Sequence, residues 1–175
     1  MVIWPLRFNL ILLAVAMLAL TGCETTKSSK KLQATFRVHM EVNPQYHPGS
    51  EPAAIYRAQP ILVNVDKSPF ITEAFVEQAA VVESLGSFAL MIRLDARGSL
   101  ILEQQTSQNP GKHLAISSAF GKKLSEARWL GAPLITRRIS NGYLVFTPDC
   151  TREEAEMIAT GLKNVSDQVK RDKRK

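Results

Sequence analysis

The chain is poor in the residue patterns that mark an active centre. Among 175 residues there are two cysteines and three histidines. His39, His47 and His113 fall at no spacing that lets them share a metal ion. No HExxH, GxSxG, P-loop or CxxC pattern occurs, which excludes the recognisable signatures of zinc peptidase, α/β-hydrolase, nucleotide-triphosphate and dithiol chemistry. No cofactor, no metal and no enzymatic activity is therefore expected. Asp66, Asp95 and Asp149 stand at element ends, where carboxylates cap turns and helix N-termini. The one catalytic alternative is an envelope hydrolase using Ser117 beside His113, a pairing that strand neighbours also produce with no chemistry attached. Long apolar runs are scarce too. The longest, Leu10-Ile11-Leu12-Leu13-Ala14-Val15-Ala16-Met17-Leu18-Ala19-Leu20, is shorter than the roughly 20 residues a membrane-spanning helix needs.

What is present begins with that run. It follows Arg7, the one basic residue before it, and ends in Leu20-Thr21-Gly22-Cys23. A basic n-region, a short apolar h-region and small residues before a cleavage point make an export signal. This stretch resembles the bacterial lipoprotein signal, with an aliphatic residue, two small residues and a cysteine. The resemblance implies cleavage after Gly22, a diacylglyceryl thioether on Cys23 and acylation of the new amino terminus. An uncleaved anchor and an ordinary secretory signal are the alternatives. Glu24 after the cysteine, by the lipoprotein sorting rule, favours the periplasmic side of the outer membrane. The polar residues of 23–33 then form a linker that holds the rest off the bilayer.

The charge balance is basic, +6 overall. Much of the excess lies in a tail at 167–175, which reads as a solvated helix end whose cations suit the helix dipole. Anionic lipid is an alternative contact for it, whereas nucleic acid is not expected of an exported protein. With Cys23 lipidated, Cys150 is left without a disulfide partner. It is either a thiol activated at a helix N-terminus or a small, partly buried residue at a cap.

Periodicity organises the remainder. In Phe36-Arg37-Val38-His39-Met40-Glu41-Val42 apolar and polar residues alternate, so the segment reads as a half-buried strand with His39 facing solvent. Residues 43–52 are a breaker-rich loop, and Ile61-Leu62-Val63-Asn64-Val65 is a second apolar segment. Thr72 caps a predicted helix over residues 73–85, stopped by Gly86. Residues 87–94 read as a strand, 99–106 as a short helix and 112–117 as a strand. Residues 132–146 read as a hairpin turning at Asn141-Gly142. Thr151-Arg152-Glu153-Glu154 is a capping box, and Ala155, Ile158, Ala159, Leu162, Val165 and Val169 keep a helical stripe behind it.

The stretch from Pro69 to Val165 resembles the head subdomain of the first periplasmic domain of SecD, a membrane subunit of bacterial protein export. The matching residues are Ile71-Thr72, Val76 and Ala79-Ala80; Leu94-Asp95 and Gly98; and Thr106 with Gly111-Lys112-His113-Leu114-Ala115-Ile116. They continue with Ala132-Pro133-Leu134-Ile135, Ile139, Gly142, Thr151, Glu154-Ala155 and Leu162. The resemblance implies an α+β fold, a ferredoxin-like sandwich of helices packed on one face of a mostly antiparallel sheet. The periodicity gives N-terminal strands and a loop at 34–66, and the resemblance implies a head-like domain at 67–166.

Two departures qualify the likeness. Residues 118–131 are longer than the family's turn and carry Trp129, as a local elaboration or as a contact surface. No membrane-spanning segment follows the signal, so the pulling motion attributed to SecD is not carried over. The expected function is a non-enzymatic, membrane-anchored module that binds a protein or peptide, with an envelope or export-machinery protein as partner. Trp129, Lys122, Lys123 and Arg128 are its candidate contacts, although Trp129 also suits plain apolar packing.

Overall fold

A computed structural model describes residues 32–57 and 59–172. The signal segment, Cys23, most of the 23–33 linker and the final three residues of the basic tail lie outside the described residues. The elements run β1 (Arg37–Met40), β2 (Ser50–Ile55), β3 (Ile61–Asp66), β4 (Ile71–Thr72), β5 (Val76–Ser84) and β6 (Ser87–Leu94). They continue with α1 (Ala96–Gln108), β7 (Leu114–Phe120), β8 (Glu126–Gly131), β9 (Tyr143–Phe146) and α2 (Arg152–Asp172). The strands form three antiparallel sheets in the orders β4-β1-β7-β8, β2-β3 and β5-β6-β9. The fold is α+β, with two helices against mostly antiparallel sheets. No described helix is long and apolar enough to cross a membrane.

Two apolar clusters hold these layers. The larger joins Phe36, just before β1, and Val38, Ile71, Ile116 and Phe120 of the four-stranded sheet to Leu90, Ile92 and Phe146 of the three-stranded sheet, closed by Leu102 of α1 and Ile158 and Leu162 of α2. Full burial of side chains such as Ile158 and Leu162 stabilises by about 1.5–3 kcal/mol each. The smaller cluster lies on the other face of the four-stranded sheet, where Ala53, Ile55, Val63 and Val65 of the β2-β3 hairpin pack on Ala115 and Ala132. That second cover corrects the expectation for His39. The hairpin leaves it 4% exposed, with Nδ1 2.8 Å from the Asp66 carbonyl oxygen. Alternation in β1 marked one buried face, but the tertiary cover buries both.

The predicted helix over residues 73–85 is instead a 3-10 turn, Glu73–Phe75, followed by the nine-residue strand β5. Thr72 makes no capping hydrogen bond. Val76, Val81 and Val82 suit a pleated surface, and strand pairing overrides the helical spacing. Leu85 and Gly86 both have positive φ, 45° and 77°, and link Ser84 to its partner Ser87. Positive φ at both central residues is what a tight two-residue hairpin turn requires. Gly86 thus turns a hairpin rather than ending a helix.

The hairpin expected over residues 132–146 is also corrected. β9 pairs with β6, while the segment before it runs beside residues 111–114 through the Leu114 N–H to Pro133 oxygen and Ile135 N–H to Lys112 oxygen bonds. Asn141-Gly142 still turns the chain, since the Asn141 side chain accepts from Tyr143 N–H at 3.1 Å and Gly142 has φ 72°. The turn leads into a third strand's partner rather than back onto its own flank. The expected loop at 118–131 is the end of β7, a 3-10 turn Lys122–Leu124 and β8. Strand β2 starts at Ser50, inside the segment read as a loop to 52.

Both helix starts follow their local chemistry. Asp95 caps α1 by accepting from Gly98 N–H at 2.7 Å, which extends the helix beyond the expected 99–106. At α2, Thr151 Oγ1 accepts from Glu154 N–H and Glu154 Oε2 accepts from Thr151 N–H, the reciprocal pair of a capping box. The incoming chain passes so near α2 that a Cβ on Gly161 would lie 2.7 Å from Ala34 N and from the Gln33 carbonyl carbon. Alanine gains about 1 kcal/mol of helix propensity over glycine, whereas overpacking costs about 1–3 kcal/mol. Backbone atoms are the obstacle, so Gly161→Ala is expected to lower stability by about 1–2 kcal/mol in urea unfolding. A gain in stability would refute the close packing.

Candidate functional site

A groove of about 760 Å³ runs between the β2-β3 hairpin and β8, lined by Pro52, Ala54, Tyr56, Leu62, Ala127, Arg128, Trp129 and Asp149. Its first wall follows from strand alternation. Ala53 and Ile55 point into the smaller core, so Pro52, Ala54 and Tyr56 point away from it. Leu62, opposite Ala54 in the hairpin, joins the outer face and is 74% exposed, and Tyr56 is 80% exposed. Strand β8 supplies the second wall as the terminal strand of its sheet. Neither β8 beyond β7 nor β2 beyond β3 has a strand partner among the described residues.

Trp129 serves both the groove and the core. It is half-buried against the smaller cluster and meets the His39 ring edge to face, with centroids 5.1 Å apart. Arg128 stands beside it, its guanidinium 2.6 Å from Glu154 and 5.3 Å from the Phe120 ring. Asp149 fastens the two walls together. Its carboxylate accepts from Tyr56 N–H at 3.0 Å, and its own N–H donates to the Leu130 carbonyl oxygen at 2.6 Å. Arg128 and Asp149 are thus already engaged, which leaves the groove with apolar area and free strand edges.

Of the four predicted contact residues, Trp129 and Arg128 lie in this groove, while Lys122 and Lys123 sit outside its lining on the 3-10 turn before β8. The sequence reading missed Tyr56, Leu62 and Asp149. The apolar alternation of β2 was readable at Ala53 and Ile55, but the preceding proline and glycine residues masked where the strand begins. A second hollow, about 510 Å³, lies along β9 and includes Leu134, Arg137, Arg138, Tyr143 and Val145. It gathers none of the predicted contacts.

Ser117 and His113 are not brought together as a dyad. Four residues apart along an extended chain, they are separated by about 13 Å, far beyond hydrogen-bond reach. His113 Nδ1 is instead 2.7 Å from Glu41 Oε2, which also accepts from the His113 N–H. No group of His, Cys, Asp and Glu among the described residues has metal-binding geometry.

Taken as a class, this is a two-core α+β domain whose accessible feature is a groove between strand edges. No family model and no curated protein matches the sequence. Its fold is similar to a solved structure described as a membrane component, SecDF, that enhances protein export. The TM-score is 0.53 and the identity 18%, over 81% of this chain and 70% of that one. Similarity also extends to SecDF in a super-membrane-facing form, at TM-score 0.46 and 17% identity, covering 89% of this chain and 33% of that one. The translocon-associated SecDF of Thermus thermophilus gives 0.41 and 18%, covering 90% and 34%. A SecD-like fold, expected from the residues between Pro69 and Val165, is therefore the fold observed.

Cys150, at the start of α2, is no activated nucleophile. Burial, followed by the nearby Glu154 and Asp149 carboxylates, pushes its thiol pKa up from 9.0 to about 11. In the Cys23→Ser protein, iodoacetamide should therefore alkylate folded Cys150 about 100-fold more slowly near pH 8 than it alkylates the urea-unfolded chain, because only the thiolate reacts. Equal rates would contradict this burial.

Proposed function

We propose that this chain is a membrane-anchored binding module of the cell envelope that holds an extended polypeptide segment in the β2/β8 groove, in the service of protein export or envelope assembly. The observation that carries the reading is the groove itself. A segment entering it can complete a free strand edge with main-chain hydrogen bonds while its alternate side chains rest on Tyr56, Leu62 and Trp129. The groove's volume lies within the range of about 300–1,000 Å³ typical of binding clefts. Similarity in fold to a SecDF described as enhancing protein export supports the link to export. The lipoprotein-like signal ending in Cys23 supports an anchor in the lipid, and Glu24 after it supports the periplasmic side of the outer membrane. No catalytic step enters this role.

Photocrosslinking amino acids at Leu62 and Tyr56 in living cells are expected to capture a polypeptide partner, and Trp129→Ala is expected to reduce that yield several-fold. Leu100, exposed on α1, provides the control position. Crosslinking from Leu100 equal to that from Leu62 would sink the groove as the binding site. The anchor has its own test in metabolic labelling with palmitate, which should be incorporated in the wild type and abolished by Cys23→Ala. Unchanged labelling in that variant would remove Cys23 from the account.

A further inference from the structure

Resting on the groove as the binding site, we infer that the bound segment pairs with β8 and not with β2, as a strand added to the main chain of Ala127 and Trp129. Strand register decides between the two walls. In an antiparallel ladder the N–H and C=O of one residue face the same neighbouring strand, and those of the next residue face the other way. Ala119 of β7 faces β1, because its carbonyl oxygen accepts from Thr35 N–H at 2.8 Å and its own N–H donates to Thr35 Oγ1 at 2.7 Å. Ser118 and Phe120 therefore face β8, where they pair with Arg128 and Glu126. Ala127 and Trp129 are left with their main chain pointing away from β7, and both line the groove. A bulge after Trp129 ends the run, and the Leu130 carbonyl oxygen beyond it accepts from Asp149 N–H.

The facing wall is poorer in donors. The Asn64 carbonyl oxygen accepts from Val42 N–H at 2.8 Å, so Val63 and Val65 face β2 and pair with Ala53 and Glu51. The outward positions along β2 are thus Pro52 and Ala54, with Tyr56 just beyond the strand. Proline has no N–H, and Tyr56 N–H already donates to the Asp149 carboxylate at 3.0 Å. Ala54 is left as the one outward donor of that wall, against two on β8.

This assignment sets what the groove accepts. Residues of the added strand opposite Ala127 and Trp129 share the face of Trp129, which packs against the hairpin's cluster. The residue between them lies on the other face, with Arg128 and its partner Glu154. The ligand class is therefore an unfolded stretch that alternates apolar, polar and apolar residues, with no proline where its N–H enters the ladder. The hairpin contributes side-chain surface from Tyr56 and Leu62 and no second ladder.

Proline substitution separates the two walls. Proline is tolerated on an edge strand where the lost N–H points outward, so Ala127→Pro and Ala54→Pro each remove one outward donor and leave the β7 and β3 ladders intact. With the photocrosslinking amino acid at Leu62, Ala127→Pro is expected to lower capture in living cells about tenfold. Ala54→Pro is expected to change it by less than about twofold. Thermal unfolding followed by circular dichroism shows whether each variant folds. A second measurement needs no substitution and no partner: in the free full chain the Ala127 amide should exchange its hydrogen about 100-fold faster than that of Arg128, which is bonded to β7. A protected Ala127 amide, a folded Ala127→Pro protein with undiminished capture, or an equal loss in Ala54→Pro would overturn the β8 assignment and leave the groove standing. Absence of capture from Leu62 in the chain without either proline would overturn the groove and this assignment together.

Discussion

The two-sided burial of the β1-β7 pair is the constraint on which the rest of the structure depends. Phe36, Val38 and Ile116 face the helices and the three-stranded sheet, while Ala115 and His39 face the β2-β3 hairpin. A sheet apolar on one face needs one cover, and this one requires two. The helical side satisfies the larger demand, and the hairpin satisfies the smaller. Because the hairpin must lie on the sheet, its outer face is presented beside the sheet's last strand, and the groove arises where the two meet.

This arrangement accounts for the chemistry of the groove. Its charged members are spent on structure, Arg128 on Glu154 and Asp149 on the backbone of both walls. What remains exposed along the groove is apolar surface and strand-edge main chain. Asp149 has special weight because one residue bridges Tyr56 and Leu130. A similar economy applies to His39, whose imidazole supports Trp129 from behind and acquires structural work that its place in an alternating strand did not suggest.

The parts of the fold legible in the sequence were those written in local chemistry. The capping box at Thr151 and Glu154, the stripe from Ala155 to Leu162, the strand at residues 87–94 and the Asp95 cap all rest on contacts within a few residues. What escaped was decided by distant partners. Residues 76–84 have valines and alanines spaced to suit either period, and only pairing with β6 selects the strand. Asn141-Gly142 turns the chain as expected, but the turn does not choose which strand β9 joins. Within the groove, Trp129 and Arg128 were visible as an aromatic and a cation in an unusual insertion. Tyr56 and Leu62 became meaningful only once the hairpin was seen to expose one face.

The passage of the linker beneath α2 and alongside β7 has a mechanical consequence. Tension applied through residues 32–35 is directed along the line of β1, and antiparallel ladder bonds lie across that line. Such a pull loads the β1-β7 bonds together in shear instead of opening them one after another. The domain is thus gripped so that traction through its N-terminal segment meets many ladder bonds at once.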